Sequence, residues 1–375
     1  MREIGLYVHI PFCKSKCLYC DFNSYEGCAG YEEAYADALV GEFEHYQSNY
    51  KFSYKTVFIG GGTPTFIHYE LIGRLMKALK PYIKAGAEIS MECNPGTVNA
   101  QSLQYYHSLG INRLSIGLQA WQNGLLKKIG RIHTVEEFIE EFGHARQAGF
   151  GNINVDLMFA LPGQTLEMWQ ETLEKVCSLG VEHVSCYSLK LEEGTKLYDM
   201  YEKGRIVLPD EELDREMCYK AGEILKSHGL EQYEISNYSR PGMECRHNLI
   251  YWDNEEYLGI GAGSHSKLDN RRFWNVKALD AYIKAVESGK PPVEGSEAID
   301  TGEDMWETIF LALRLNKGLD MDEFDSKYNT SFLGKYKDRI KKLIENNLVL
   351  IEGRAIKLTS KGRDLANSVF VEFMQ

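Results

Sequence analysis

The chain has 375 residues, 44% of them hydrophobic and 26% charged, with a net charge of −12. This balance allows a sizeable buried core in more than one domain and excludes extended disorder, while the acidic excess weighs against bulk binding to nucleic acid or anionic lipid. No apolar run reaches the ~18 residues of a membrane span and no signal segment is evident, so a cytoplasmic protein without a membrane segment of its own is expected.

Six β-rich runs come first, at residues 5–10, 55–59, 87–92, 113–118, 152–159 and 183–189. Helical periodicity fills the intervals at 31–46, 69–83, 135–148 and 166–178. Strand and helix alternating in this way predict a parallel sheet with right-handed crossovers. The result is an α/β fold, an incomplete (β/α)6 barrel over residues 1–210, with its chemistry at the C-terminal ends of the strands. The stretch 211–292 is less regular: a helix at 212–227, then polar, aromatic and glycine-rich sequence. Its end, Gly289-Lys290-Pro291-Pro292, reads as a linker. Residues 293–375 regain apolar periodicity at 305–315, 321–328 and 332–346, followed by a hairpin of 348–351 with 355–358 and a last helix from Lys361. Helices and one small hairpin predict a mostly helical, winged-helix-like domain. Its acidic and basic residues balance, which favours an interaction or lid module over a nucleic-acid binder.

Nine cysteines is an odd number, and Cys13, Cys17 and Cys20 crowd together directly after the first strand. Such crowding suits metal ligation in a reducing compartment better than a disulfide framework. Thiolates are the usual ligands of iron–sulfur centres, and three of them leave one iron of a [4Fe–4S] cubane open. Zinc is the alternative, with Cys28 or His9 as a fourth ligand, although C-x3-C-x2-C is an unusual order for it. Gly60-Gly61-Gly62-Thr63 follows the second strand. It reads either as a tight turn before Pro64 or as a loop whose backbone approaches a small zwitterion. Glu92 and Gln119 end the third and fourth strands, and Asp156 interrupts the apolar fifth. A buried carboxylate needs a cation or hydrogen-bond donors, and Arg131 is a candidate partner.

The cysteine spacing resembles the signature of the radical S-adenosylmethionine superfamily. Tyr7-Val8-His9-Ile10-Pro11-Phe12-Cys13, Gly60-Gly61-Gly62-Thr63-Pro64-Thr65 and Leu114-Ser115-Ile116-Gly117-Leu118-Gln119 are similar to the oxygen-independent coproporphyrinogen III oxidases and their relatives, over nearly the whole chain. The resemblance implies that Cys13, Cys17 and Cys20 hold a [4Fe–4S] cluster whose open iron takes the amino and carboxylate groups of S-adenosylmethionine. It implies further that Tyr7, Gly61, Gly62, Thr63, Glu92, Gln119, Arg131 and Asp156 bind that cofactor. Reductive cleavage, if it occurs, implies an external electron donor and a 5′-deoxyadenosyl radical.

Two departures narrow the resemblance. The oxidases continue their motif as C-x-C, where this chain reads Cys20-Asp21-Phe22, and with its first strand only a few residues from Met1 the chain is expected to lack the N-terminal extension those oxidases place over the substrate. In both respects the chain is similar to the HemW-type heme chaperones, as it is in the H-N-x-x-Y-W motif of His247-Asn248-Leu249-Ile250-Tyr251-Trp252. This implies a heme chaperone that binds cluster, S-adenosylmethionine and heme. It would deliver heme to acceptor proteins, membrane-associated ones included, and would lack coproporphyrinogen III oxidase activity. The alternative is such an oxidase, or another tetrapyrrole-modifying radical enzyme. His247 is the candidate axial ligand of heme, with Tyr251 and Trp252 against the macrocycle and Cys245 as a rival ligand; a packed core histidine is the plainer reading. The glycine-rich run 258–266, with His265 near its end, reads as a structural loop and lacks the setting of a nicotinamide site.

Overall fold

Burial on both faces marks the inner strands of the computed structural model, which describes residues 1–28 and 30–374. In β1 (Glu3–Ile10), Ile4, Leu6, Val8 and Ile10 are at most 1% exposed and join the main apolar core, which leaves Gly5, Tyr7 and His9 on the opposite face. Five further strands follow in parallel, each paired with the one before: β2 (Ser53–Gly61), β3 (Ile83–Cys93), β4 (Arg113–Gln119), β5 (Ile153–Phe159) and β6 (His183–Ser188). The crossovers run through α1 (Glu32–Tyr50), α2 (Tyr69–Leu79), α3 (Ala100–Ser108), α4 (Val135–Gln147) and α5 (Leu166–Ser178). The six expected strands and the α/β barrel they build are present.

Local chemistry explains the boundaries. Helix α4 opens on a reciprocal cap between Thr134 and Glu137, and α5 on Thr165, whose hydroxyl accepts from the Met168 amide. Helix α2 stops at Leu79 and does not run to residue 83. Pro81 has no amide proton to continue the ladder, so residues 80–82 make one 3-10 turn and Ile83 already belongs to β3.

The sheet is wider than six strands. After α6 (Glu211–Ser227) come β7 (Glu231–Gln232), β8 (Asn237–Ser239), β9 (Tyr257–Ile260), β10 (His265–Leu268), β11 (Arg271–Asn275) and β12 (Val293–Ala298), interrupted by α7 (Arg246–Trp252) and α8 (Leu279–Glu287). The order across the sheet is β12-β11-β10-β9-β1-β2-β3-β4-β5-β6-β8-β7. Strand β9 runs parallel to β1 and the other outer pairs are antiparallel. Residues 289–292 are therefore a loop inside the large sheet. The boundary expected at 292/293 moves to the start of α9 (Thr301–Arg314), because β12 stays paired with β11.

The C-terminal unit has a core of its own, in which Ile309, Phe324, Phe332, Ile356 and Val369 are at most 1% exposed. Helix α10 (Met321–Tyr328) and shorter helices pack on β13 (Leu319–Asp320) and the hairpin of β14 (Val349–Glu352) with β15 (Ala355–Leu358). The helix expected over 332–346 breaks at Tyr336, and the last one breaks at Leu365.

Buried charge fastens this unit to the sheet. Lys267 of β10 meets Asp304 at 2.9 Å and Glu307 at 3.2 Å on α9, and Arg272 of β11 pairs with the other oxygen of Glu307. At the end of α7, the Arg314 guanidinium lies 4.6 Å from the centre of the Trp252 ring. Removing one partner leaves the other charges buried without compensation, so Lys267→Ala is expected to cost about 3 kcal/mol of unfolding free energy in urea denaturation. Burial opposes ionisation of Asp304, but hydrogen bonds from Tyr328 and Lys267 outweigh it and hold the carboxyl down at about 2. The attachment it provides is complete above the ordinary value of ~3.9 and is lost as pH falls toward 2.

A candidate cluster and cofactor site at the strand ends

The cysteine loop is held from several sides. Phe12 and Cys13 pair in parallel with Tyr25 and Glu26, and the Lys16 amide donates to the Glu26 carboxylate at 3.0 Å. Leu18 donates to the Ile129 carbonyl at 3.0 Å and accepts from the Leu197 amide at 2.8 Å, while Asn23 donates to the Ala262 carbonyl at 2.9 Å. Each thiol has a neighbour able to stabilise a thiolate. Thr63 Oγ1 lies 3.7 Å from Cys13, Arg131 Nη1 donates to Cys17 at 3.4 Å, and Ser24 Oγ lies 4.0 Å from Cys20. Burial pushes the thiols of Cys13 and Cys20 up, with hydrogen bonds to each acting in the opposite sense.

A zinc site with His9 does not fit this arrangement. The His9 ring bonds the Tyr7 hydroxyl at 3.0 Å through Nδ1 and the Asn23 carbonyl at 2.8 Å through Nε2. Among the described residues no three His, Cys, Asp or Glu side chains converge on a single ion. Thiols that each serve a separate iron of a cubane need no such convergence.

The run Gly60 to Gly62 is both a turn and a close approach. A Cβ added at Gly60 would lie 3.0 Å from the Glu92 carboxyl, one at Gly61 2.6 Å from the His9 ring, and one at Gly62 2.8 Å from the Phe12 carbonyl and 3.0 Å from Cys13 Sγ. Gly61 also has φ of +117°, a conformation that glycine alone adopts without strain. The Gly62 amide donates to Ile10 and that of Thr63 to Phe12, both at 2.8 Å, which ties this loop to the cysteine loop.

Two polar groups near these glycines are only partly answered by the protein. The Glu92 carboxylate accepts from the Gly61 amide at 2.9 Å and has no cation partner among the described residues. Burial, opposed by that hydrogen bond and reinforced by the charge of Asp156, raises it to about 8. Arg131 spends one nitrogen on Cys17 and another on Asn94 Oδ1, at 2.7 Å, and the Gly117 carbonyl. Its Nε is buried without a partner. Arg131 is thus not the partner of Asp156, which is satisfied by Ser115 Oγ at 2.8 Å and Asn154 Nδ2 at 2.9 Å. An amino-acid zwitterion offers an ammonium to Glu92 and a carboxylate to Arg131, so the residues present fit the methionine end of S-adenosylmethionine.

Gln119 closes β4 at φ of +73°, where the register with β5 slips. Its amide nitrogen would lie 3.1 Å from a Cβ on Gly117, beside Asn94 and Arg131. Tyr7 stacks on Phe58 at 6.3 Å, and burial together with the Glu92 charge pushes its hydroxyl up. Sequence reasoning missed Asn94, which links Thr63 Oγ1, at 2.8 Å, to Arg131. Its signal was its place, two residues past Glu92 at a strand end.

His247 requires a correction. It is 1% exposed, and both ring nitrogens are engaged, Nδ1 with Thr56 Oγ1 and Nε2 with the Tyr251 hydroxyl, each at 2.8 Å. Burial and then Arg113 hold the imidazole down at about 3. The Glu88 carboxylate accepts the amides of Arg246, at 2.9 Å, and His247, at 3.1 Å, and takes the Cys245 thiol at 3.7 Å. Helix α7 thus plugs the barrel at the N-terminal ends of β1 to β3, and neither His247 nor Cys245 presents a free donor atom. The Trp252 ring lies under the Arg314 guanidinium, with its Nε1 buried and without a partner among the described residues. The run 258–266 supports the cysteine loop from behind: a Cβ added at Gly261 would lie 2.6 Å from the His9 carbonyl, and one at Gly263 2.6 Å from Asn23.

Residues 7–176 match the radical SAM superfamily and residues 299–365 match the HemN C-terminal domain. Heme chaperone HemW of Bacillus subtilis (strain 168) is 38% identical over 372 residues, covering 98% of this chain and 98% of that one. The chain belongs to the HemW family of the radical SAM superfamily. Heme chaperone HemW of Lactococcus lactis subsp. lactis (strain IL1403) is 36% identical over 370 residues, 98% of this chain and 96% of that one. The solved structure of coproporphyrinogen III oxidase (HemN) from Escherichia coli, a radical SAM enzyme, has a TM-score of 0.86 at 25% identity, covering 100% of this chain and 90% of that one. Membership of the superfamily implies a [4Fe–4S] cluster and S-adenosylmethionine.

A carboxyl raised from its ordinary range to about 8 makes folding less favourable as pH rises from about 4.5 toward 8, because the folded state must give up a proton it prefers to keep. Glu92→Gln removes that dependence. Without cofactor, the variant is expected to match the wild type at pH 4.5 and exceed its stability at pH 8, as read by anaerobic denaturant titration.

Proposed function

We propose that this chain is a heme chaperone: it carries a [4Fe–4S] cluster on Cys13, Cys17 and Cys20 with S-adenosylmethionine beside it, binds heme and passes it to an acceptor heme protein. The observation that carries the reading is full-length kinship with HemW chaperones in a chain whose cluster motif stops at Cys20. Phe22, exposed, stands where the C-x-C of the oxidases has its further cysteine.

In this reading Glu92 accepts from the ammonium of the cofactor's methionine end and Arg131 Nε donates to its carboxylate. Gly61 and Gly62 let the backbone come into contact with it, and Thr63 steadies Cys13. Tyr7, Gln119 and Asp156 line the same mouth and keep it polar. Cluster and cofactor together supply one-electron reductive chemistry, which requires an external electron donor. No helix of the described residues is long and apolar enough to cross a membrane, so a membrane-bound acceptor would be met from outside the bilayer.

Anaerobic reconstitution should load about four irons and four sulfides per chain. Cys17→Ala should abolish the cluster absorbance, and retention of all iron by that variant would refute the ligand assignment. Heme added to the loaded wild type should give a saturable change in the Soret band. Coproporphyrinogen III supplied with S-adenosylmethionine and reductant should be recovered unchanged; the likeness to HemN makes this the critical control, since protoporphyrinogen IX would replace the chaperone with an oxidase.

A further inference from the structure

The three outer strands β10, β11 and β12 carry a side-chain pair that neither the barrel core nor the cofactor mouth uses. His265, Trp274 and Gly295 are successive cross-strand partners and share one face of the sheet. The His265 imidazole lies against the Trp274 indole with ring centres 5.9 Å apart and planes at 29°. A Cβ added at Gly295 would fall 2.4 Å from that indole, so the absence of a side chain there is what lets Trp274 lie flat across β12. Further along the same face, Lys267 and Arg272 are covered by α9, whereas His265, at the opposite end of β10, stays exposed.

That end of the face adjoins the cysteine loop. Asn23 donates to the Ala262 carbonyl, Tyr25 donates to the Lys277 carbonyl at 3.0 Å, and Gly263 packs on Asn23. The Lys277 ammonium, near enough to His265 to act on its charge, makes no ion pair among the described residues. Among the described residues His265 also makes no hydrogen bond through its ring, in contrast to His9 and His247, which use both nitrogens. His133 is buried and beyond the reach of a bulky macrocycle.

We propose that His265 is an axial ligand of heme iron, on a shelf formed by β10, β11 and β12 beside the cysteine loop. The proposal rests on the heme reading given above and names where the heme would sit. A ligating imidazole stands upright on the macrocycle, so Trp274, nearly parallel to the imidazole, meets the porphyrin by its edge and acts as a positioning residue that fixes the ring's tilt. Lys277 is placed to take a propionate carboxylate. Partial burial, then Arg272 and Lys277, lower the affinity of His265 for a proton, which favours the neutral ring that metal ligation needs.

The test is titration of ferric heme into the full chain, anaerobically reconstituted, followed in the Soret band. His265→Ala is expected to weaken binding by at least about tenfold, the lower bound for disturbing a metal's ligand sphere. His265→Met, which keeps a donor of different chemistry, should shift the band without abolishing it. Trp274→Ala should weaken binding while leaving the band where the wild type has it. Unchanged affinity and spectrum in His265→Ala overturn the assignment while leaving the chaperone reading intact. So does loss of the band in His247→Gln with His265→Ala unaffected. A wild type that binds no heme at all overturns the chaperone reading and the ligand together.

Discussion

A carboxyl and a guanidinium, each only partly answered by the protein, stand near the C-terminal ends of the strands, Glu92 on β3 and Arg131 on the loop before α4, and the upper half of the barrel is arranged around them. Glu92 has one amide donor and Arg131 has a buried N–H with no acceptor. The amide that reaches Glu92 comes from Gly61. The same glycine run hydrogen-bonds the backbone on either side of Pro11 and so anchors the start of the cysteine loop. Arg131 in turn touches Cys17, and through Asn94 it communicates with Thr63 and Cys13. A ligand that satisfies the two groups would therefore brace the thiols as well, since the contacts form one connected set.

The lower half of the lumen is equally polar, and its histidines and Glu88 are paired, although Arg113 Nε and Trp252 Nε1 are buried without a partner among the described residues. His183 is bonded by Asn154 at 2.6 Å and Tyr233 at 2.9 Å, Glu88 is filled by the first amides of α7, and His247 is shared between Thr56 and Tyr251. Satisfied polar groups in a closed interior specify a structure; unsatisfied ones next to an opening call for a ligand. Polarity alone does not separate the two halves; position at the C-terminal ends of the strands does.

This difference explains what could be read from the sequence. Strands β1 to β6 were legible because apolar residues alternate with, or run through, short segments bounded by turns. The cysteine loop was legible because three thiols in so few residues have little structural use. The strand-end positions of Glu92, Gln119 and Asp156 followed from the barrel rule. Asn94 was hidden because an asparagine before Pro95 and Gly96 reads as turn chemistry. The outer strands were hidden because they are two to six residues long and interrupted by left-handed residues such as Asp269 and Asn270. His247 was misjudged for a different reason. An imidazole beside aromatics has the local appearance of a ligand, and whether its nitrogens are free is decided by Thr56, 191 residues away. His265 shows the converse: its run looks structural, yet folding leaves its ring uncommitted.

The plug formed by α7 bears on traffic as well as on stability. A barrel stoppered at one end is an alcove, not a corridor. With that end filled, ligands meet the strands from the side of the cysteine loop, where the thiols and the glycine run lie.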